Sequence, residues 1–480
     1  MIELTIAQIA EVVEGEIFDI DPTQKVTQIP VIDSRLVDSS TFFVAFKGEN
    51  FDGHSFAAQA VASGAQFVLA SSKVDVASIV VPDTGKALAR LAAYVRNELS
   101  DLVVIGITGS QGKTTTKDLL RHLLAISAPT IAPFGNLNNE LGVPLTLLRC
   151  DRTTKYCIVE MGARHVGDIS ELVKIAHPNI GVVLNVGQAH IGEFGSRELI
   201  AKAKSELITG LAETGVAVLG DYDEYTPKMA TGLSIRQVKF GEKSSCDVRA
   251  ADVEFREGRA HFDLVTPSGR QAVGLQLLGL HQIPNALAAA AVATVLEIPI
   301  ESIAAALSTA EASSKWRMEL HEASGLLLIN DAYNANPESV AAALRTLVLL
   351  AQERGGRSWA FLGKMNELGE STRREHQLIG RLVSDIGVDH LVAVGTDLFD
   401  RPLKRPLDQP FDQSSIVESE DEEMKMGEAT SMHSFSTIEE ATDLSRHFAP
   451  GDVVLVKASR SEHLDDLANS LLATWTEANL

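Results

Sequence analysis

The sequence predicts an α/β protein of two to three domains built on mostly parallel sheets, and three observations carry that reading. From residue 102 onward short apolar runs alternate with helical stretches, a rhythm that gives parallel sheets covered by helices. Residues 106–116 read GITGSQGKTTT, a glycine-rich loop set between a strand and a helix. The chain has 480 residues, more than one hydrophobic core ordinarily serves.

Residues 1–98 open with short β-like pieces at 31–35 and 41–46 and a helical stretch at 55–64. Strands are expected at 102–107, 156–160, 180–186 and 216–219, with helical stretches at 117–124, 170–176 and 198–211. An Ala-rich helix at 280–296, entered through Pro284, closes this unit. A second alternating unit follows a boundary in 310–315. Its strands are expected at 326–329, 359–362, 390–394 and 453–456, and its helices at 338–351, 372–386 and 464–472. Between Asp400 and Ser436 the pattern lapses into Pro, Ser and acids, the composition of a solvated, flexible insertion.

Composition narrows the function classes. Hydrophobic residues make up 45% and charged residues 22%, as in ordinary soluble proteins. A formal net charge of −22 repels a phosphate backbone and argues against nucleic-acid binding. Cys150, Cys157 and Cys246 form no CxxC pair, which suits a reducing compartment and excludes a disulfide scaffold or a thiolate zinc cluster. The N-terminus lacks a basic region and does not read as a signal peptide. The longest apolar run, 286–296, falls short of the roughly 20 residues of a membrane span. The expected location is the cytoplasm.

The glycine loop carries the first chemistry. Its glycines let backbone N–H groups turn toward phosphate oxygens, and the following helix N-terminus adds favourable partial charge. Gly109, Ser110, Gln111 and Gly112 form the turn; Lys113 suits the β- and γ-phosphates, the Thr114 hydroxyl suits Mg²⁺, and Thr115 follows. The first glycine of the strict pattern would fall at Ile107, so the loop is a TGxxGKT variant. Glu160 ends the next strand, where a carboxylate faces the ligand crevice and can hold Mg²⁺. His190 is expected at the following strand end, beside those two. Lys202 and Lys204 lie on the next helix and sequence physics alone leaves them unassigned. Asn285 starts the Ala-rich helix, where its amide either reads a base edge or caps the helix. Lys315 and Arg317 sit just past the boundary, and an arginine from a neighbouring domain can neutralise a transferring phosphoryl group. Residues 330–337, NDAYNANP, hold too many polar side chains for a simple turn and read as a binding loop.

Together these segments resemble the Mur ligase family. The resemblance runs along nearly the whole chain: DSR at 33–35, FFVAFKGENFDGHSF at 42–56, the glycine loop, GNLNNELGVP at 135–144, VEMGA at 159–163 and NVGQAHIGEFGS at 185–196. GLHQIPNALAA at 279–289, DAYNANPES at 331–339, LGKMNELG at 362–369 and KASR at 457–460 complete it. The YNANP loop is similar to that of the member that adds D-alanyl-D-alanine. Folylpolyglutamate synthase shares the loop type but lacks the DSR and DGH segments.

The resemblance implies three domains: 1–98 holding the UDP part of the substrate through Ser34 and Arg35, 99–313 as the ATPase, and 314–480 as a Rossmann-like domain that recognises the dipeptide. The insertion 400–436 lies outside the family pattern. The implied reaction phosphorylates the terminal carboxylate of UDP-N-acetylmuramoyl-tripeptide with ATP, after which the amine of D-alanyl-D-alanine attacks. The third peptide residue, meso-diaminopimelate or L-lysine, stays open. Implied catalytic residues are Lys113, Glu160, His190, Lys204 and Arg317. Implied ATP contacts are the loop Gly109 to Thr115, Asn285, Arg317 and Asp331. Asn136, Asn138, Asn139, Asn334 and Asn336 are implied to face substrate. Thr114, Glu160, His190 and Lys204 are implied around two Mg²⁺ ions, with Lys204 matching a lysine that is carbamylated. The implied enzyme is monomeric. Four positions depart from the family pattern: Trp316 where Gly is common, Asn330 for an Asp, Lys364 for an acid and Ala458 for a Gly. A non-catalytic nucleotide-binding scaffold of the same fold is the alternative, and the retained Lys113, Glu160, His190 and Lys204 argue against it.

Overall fold

The structure, a computed structural model, describes residues 1–48, 51–135, 137–312, 314–399 and 430–478. Its described strands fall into four sheets. The largest has nine strands, and its parallel part runs Thr130–Ile131, Tyr156–Glu160, Val103–Thr108, Ile180–Val183, Val216–Gly220, Arg236–Gly241, Val248–Arg256. Val103–Thr108 is buried along nearly its whole length, the continuous apolar run expected of a strand covered on both faces. Helix Ile283–Val295 packs against the glycine-loop helix Lys113–Ala125, and its alanines allow that close approach.

The sequence rhythm does not anticipate the far edge of this sheet. Arg259–Thr266 and Gly269–Leu278 extend it antiparallel from Val248–Arg256. Alternating buried and exposed positions mark them as half-solvated strands. A two-residue turn joins the first pair, with Glu257 at φ +51° and Gly258 at φ +73°, the double positive φ of a type I′ hairpin.

The N-terminal sheet has five strands in the order Glu16–Phe18, Ser78–Val80, Val68–Ala70, Thr41–Val44, Ile29–Val31, and Leu4–Thr5 pairs separately with Lys25–Val26. The strand expected at 31–35 ends at Val31 because Asp33 caps a 3-10 turn, Ser34–Leu36, by accepting from the Arg35 amide at 3.0 Å. The C-terminal sheet orders Glu319–Ala323, Leu326–Asn330, Val453–Lys457, Ser358–Leu362, His390–Val394, Ser431–Phe435, all parallel except the first pair.

That last strand corrects the extent of the insertion. Ser431–Phe435 pairs in parallel with His390–Val394, so the insertion's last residues belong to the sheet. Their alternating exposure, natural for an edge strand, hides them from a search for apolar runs. Residues 400–429 lie outside the described residues.

The first two sheets share a core. Helix Thr84–Glu98 buries Ala87, Leu88, Leu91, Ala92 and Val95 at helical spacing, against Leu172, Val173 and Ala176 of helix Asp168–Ala176. Arg96 locks this contact. Its buried guanidinium donates to the carbonyls of Ala176, His177 and Leu99 and to Asn179 Oδ1, at 3.1–3.2 Å. Arg96→Met keeps the stem but leaves those acceptors unpaired, and should cost about 3 kcal/mol in equilibrium urea unfolding. A loss below about 1 kcal/mol would show that the guanidinium is dispensable there.

Candidate active site

Strand Val103–Thr108 lies between Tyr156–Glu160 and Ile180–Val183, so the connections diverge to either side of it and open a crevice at the carboxyl ends. The glycine loop fills that crevice. Gly112 stands at φ +83° and precedes helix Lys113–Ala125. A Cβ on Gly112 would fall 2.2 Å from Asn285 Oδ1, so the backbone passes where no side chain fits. Asn185, given no role in the sequence reading, holds the loop: its Oδ1 accepts from the Ser110 and Gln111 amides at 3.1 and 3.2 Å. Lys113 Nζ donates to Gly109 O at 2.7 Å, the bond it would exchange for a phosphate.

Glu160 is fully buried. Its Oε2 accepts from the Thr114 hydroxyl at 3.4 Å, while Oε1 is buried with no partner. Burial pushes the carboxyl up; the charges of Lys117, Lys113 and Arg317 pull it back. An orphaned carboxylate oxygen beside a hydroxyl is a hard-oxygen donor set that fits Mg²⁺. Lys204, 5% exposed, has no hydrogen-bond or ion-pair partner among the described residues, and burial followed by repulsion from Lys113 drives its ammonium well below the usual range.

His190 does not sit at a strand end. The strand stops at Val183, and His190, at φ +63°, caps the short helix Ile191–Phe194. Its Nδ1 lies 2.6 Å from Glu367 Oε2 of the C-terminal domain, which holds the Glu367 carboxyl below its ordinary range. Among the described residues no group of three or more His, Cys, Asp and Glu is gathered to hold a metal ion.

The opposite wall comes from the C-terminal sheet. Arg317 lies 4.0 Å over the Tyr333 ring. Asp331 takes the buried Lys457 ammonium at 2.5 Å, and Lys457 also donates to Asn334 O at 2.8 Å. Asn336 caps helix Pro337–Arg354 by accepting from the Ser339 amide, which occupies its side-chain oxygen. Asn330, buried, accepts from the Ala332 amide at 3.2 Å. Glu338 accepts from the Gln188 amide at 2.7 Å and ties the walls together. The space between them is a cleft of about 2440 Å³.

The structure brings most sequence-predicted residues to this cleft: Ser110 to Thr115, Asn138, Asn139, Glu160, His190, Lys204, Asn285, Arg317, Asp331, Asn334 and Asn336. Gly109 meets it through Lys113. Asn138 accepts from the Gly162 amide through its carbonyl, Asn139 from the Gly142 amide through its side chain, and Asn136 lies outside the described residues. Asn285 touches Thr116 and Gln282. Ser34 and Arg35 are not in the cleft; the exposed Arg35 guanidinium pairs with Asp33 at 2.6 Å. Sequence reasoning missed Lys117, whose buried ammonium pairs with Asp118 at 2.9 Å and faces the Pro133 and Gly135 carbonyls. Its place one helical turn after Lys113 was the available signal.

A phosphate loop at a switch point, a buried carboxylate on the neighbouring strand and an arginine from a second α/β domain define an ATP-dependent ligase of the Mur type. The chain belongs to the Mur ligase family: residues 28–96 match "Mur ligase family, catalytic domain", 107–293 "Mur ligase middle domain" and 316–460 "Mur ligase, glutamate ligase domain". Within it, the chain is 42% identical to the UDP-N-acetylmuramoyl-tripeptide–D-alanyl-D-alanine ligase of Mycobacterium tuberculosis, over 99% of both chains. The crystal structure of MurF from Acinetobacter baumannii superimposes with a TM-score of 0.85 at 34% identity, covering 98% of this chain and 99% of that one. MurF from Thermotoga maritima in complex with ADP gives 0.76 at 28% identity, covering 95% and 99%.

Two outcomes follow from this geometry. Gly112→Ala places a methyl against Asn285 and forces a left-handed residue; ADP affinity by calorimetry should fall at least ~10-fold, and an unchanged Kd would refute the close approach. Burial pushes the His281 ring down to about 4 from 6.5, with Asp331 and Lys457 acting in opposite senses. The folded state therefore binds this proton only near pH 4 while the unfolded chain takes it up at 6.5. Stability is complete above that upper value and declines as pH falls through the window. His281→Gln should flatten this part of a melting-temperature profile, and an identical profile would contradict it.

Proposed function

We propose that this chain joins D-alanyl-D-alanine to UDP-N-acetylmuramoyl-tripeptide at the expense of ATP, through an acyl phosphate. The observation that carries the reading is the meeting of Lys113, Glu160 and Arg317, from two domains, at one phosphate loop. Relatives that match the whole chain and bear that activity in their names supply the acceptor.

The chemistry follows from charge. A carboxylate is a poor acylating agent and an anion, and it must approach a triphosphate. Lys113 and Arg317 offset that repulsion, and the loop amides with the helix N-terminus hold the phosphates in line. The carboxylate oxygen forms a bond to the γ-phosphorus, the bond from phosphorus to the bridging oxygen breaks, and ADP leaves. The dipeptide ammonium gives up one proton to solvent and its amine attacks the acyl carbon; the C–N bond forms, the nitrogen sheds a second proton, the C–O bond breaks and phosphate departs. Thr114 and Glu160 would hold Mg²⁺, which when bound neutralises phosphate charge.

Lys204 is read as the carbamylated lysine. A buried ammonium without an anionic partner sheds its proton, and a neutral amine adds to CO₂ to give a carbamate with release of a proton. The carbamate would replace repulsion from Lys113 with attraction and provide an oxygen ligand for a second Mg²⁺, which His190 could reach only by giving up Glu367. Ser34 and Arg35 are kept as candidates for the UDP part, and Asn334 and Asn336 for the dipeptide. The enzyme is read as a monomer working in the cytoplasm, at a step of peptidoglycan precursor synthesis. Its three cysteines are free and buried, and no helix among the described residues is long and apolar enough to cross a membrane.

ADP release in the presence of tripeptide and dipeptide together, and not with a single amino acid, is the decisive assay. Lys113→Ala should lower kcat/KM by on the order of 10²–10³ with the fold intact by circular dichroism. Activity of the Lys113 enzyme in CO₂-free buffer should rise at least about tenfold on adding bicarbonate, with a ¹³C carbamate resonance that Lys204→Ala abolishes. A silent spectrum with full activity would rule the carbamate out.

A further inference from the structure

Arg317 is held in a strained backbone. Trp316 and Met318, on either side of it, stand at φ +59° and +51°, a left-handed conformation that glycine adopts freely and that a residue with a Cβ resists. Such a conformation persists only where its surroundings over-determine it. Here they do. The Arg460 guanidinium stacks 4.0 Å over the Trp316 indole and is itself bound to Asp465 at 2.5 Å. The Trp316 amide donates to the Glu319 carboxylate at 2.9 Å, and the Trp316 carbonyl accepts from the Tyr333 amide at 3.1 Å. The Met318 amide donates to Asp331 Oδ1 at 3.1 Å, and the Arg317 guanidinium lies over the Tyr333 ring.

All of these partners belong to the C-terminal domain: its sheet, the loops of that sheet and, through Asp465, its last helix Leu464–Ala478. On the other side, the Ser314 hydroxyl donates to Asp118 Oδ2, on the glycine-loop helix, at 2.6 Å. The change of allegiance falls at Lys315. Arg317 is therefore built mechanically into the C-terminal domain while its charge acts on Glu160 and Lys113 of the central one.

We propose that Trp316 is a positioning residue for the reaction: clamped under Arg460, it fixes the strained turn that holds Arg317 on Tyr333, so that the guanidinium reaches the phosphate site as a rigid part of the C-terminal domain. The inference rests on the phosphoryl-transfer reading above. It assigns to the tryptophan a role that a glycine, though conformationally easier, could not fill, because glycine offers Arg460 no face to stack on.

The test uses the full-length enzyme and four variants, Trp316→Ala, Trp316→Gly, Trp316→Phe and Arg317→Lys, with each Trp316 change also made on Arg317→Lys. Readouts are kcat and KM for ATP, and the ADP Kd by calorimetry. Trp316→Ala and Trp316→Gly should each lower kcat about tenfold and weaken ADP about fivefold, while Trp316→Phe, which keeps a ring under Arg460, stays within about twofold of the parent. On Arg317→Lys the alanine change should add less than about twofold, since a residue that acts through Arg317 has nothing left to position. Parent-like values for the glycine variant, or an equal tenfold loss in both backgrounds, would overturn the proposal. If the parent binds ADP but ligates no dipeptide, the acceptor assignment fails by itself and the ADP affinities still decide the clamp.

Discussion

Glu160 ends a buried strand with its carboxylate sealed from water and one oxygen unpartnered, and the geometry around it is arranged to tolerate that charge. A lone carboxylate in such a place would take up a proton. Lys113 and Lys117, four residues apart on one helix, and Arg317, from across the domain boundary, bring compensating charge. Each is itself held in place: Lys113 by the Gly109 carbonyl, Lys117 by the Pro133 and Gly135 carbonyls and the Asp118 carboxylate, Arg317 by the Tyr333 ring. The result is a concentrated field of mixed sign in a low-dielectric cleft, the environment in which phosphate charge is stabilised most strongly.

That constraint explains why the second domain is needed at the site. The central domain alone provides the loop, the carboxylate and two lysines. Arg317, Tyr333, Asp331 and Lys457 arrive from the C-terminal sheet, and the two bodies are tied by Glu338 to the Gln188 amide and by Glu367 to His190. Tolerance of the family departures is local in origin. Ala458 fits, fully buried, because residue 363 opposite it is glycine and leaves room for the methyl. Trp316 fits because Arg460 covers it.

Much of the fold was legible in the sequence because parallel strands are local, continuous apolar runs. Tyr156–Glu160 and His390–Val394 begin and end where the runs do. The hairpins of 248–278 and the edge strand Ser431–Phe435 escaped, since half-solvated strands mix charged and apolar residues at period two and lack a continuous run. At the site, the polar loop before Pro337 does not reveal that the Asn336 side-chain oxygen also caps the following helix, since that bond depends on the local turn geometry.

By itself the sequence determined the phosphate loop, its strand and helix, and the carboxylate one strand away, because glycine spacing and strand ends are properties of contiguous residues. Only the tertiary structure decided which charges face which. Lys117 joined the cluster and Lys204 lost its solvent through packing, and His190 found Glu367 across a domain boundary nearly two hundred residues away in the chain. Burial and pairing set a charged group's state, and both depend on neighbours that sequence adjacency does not specify.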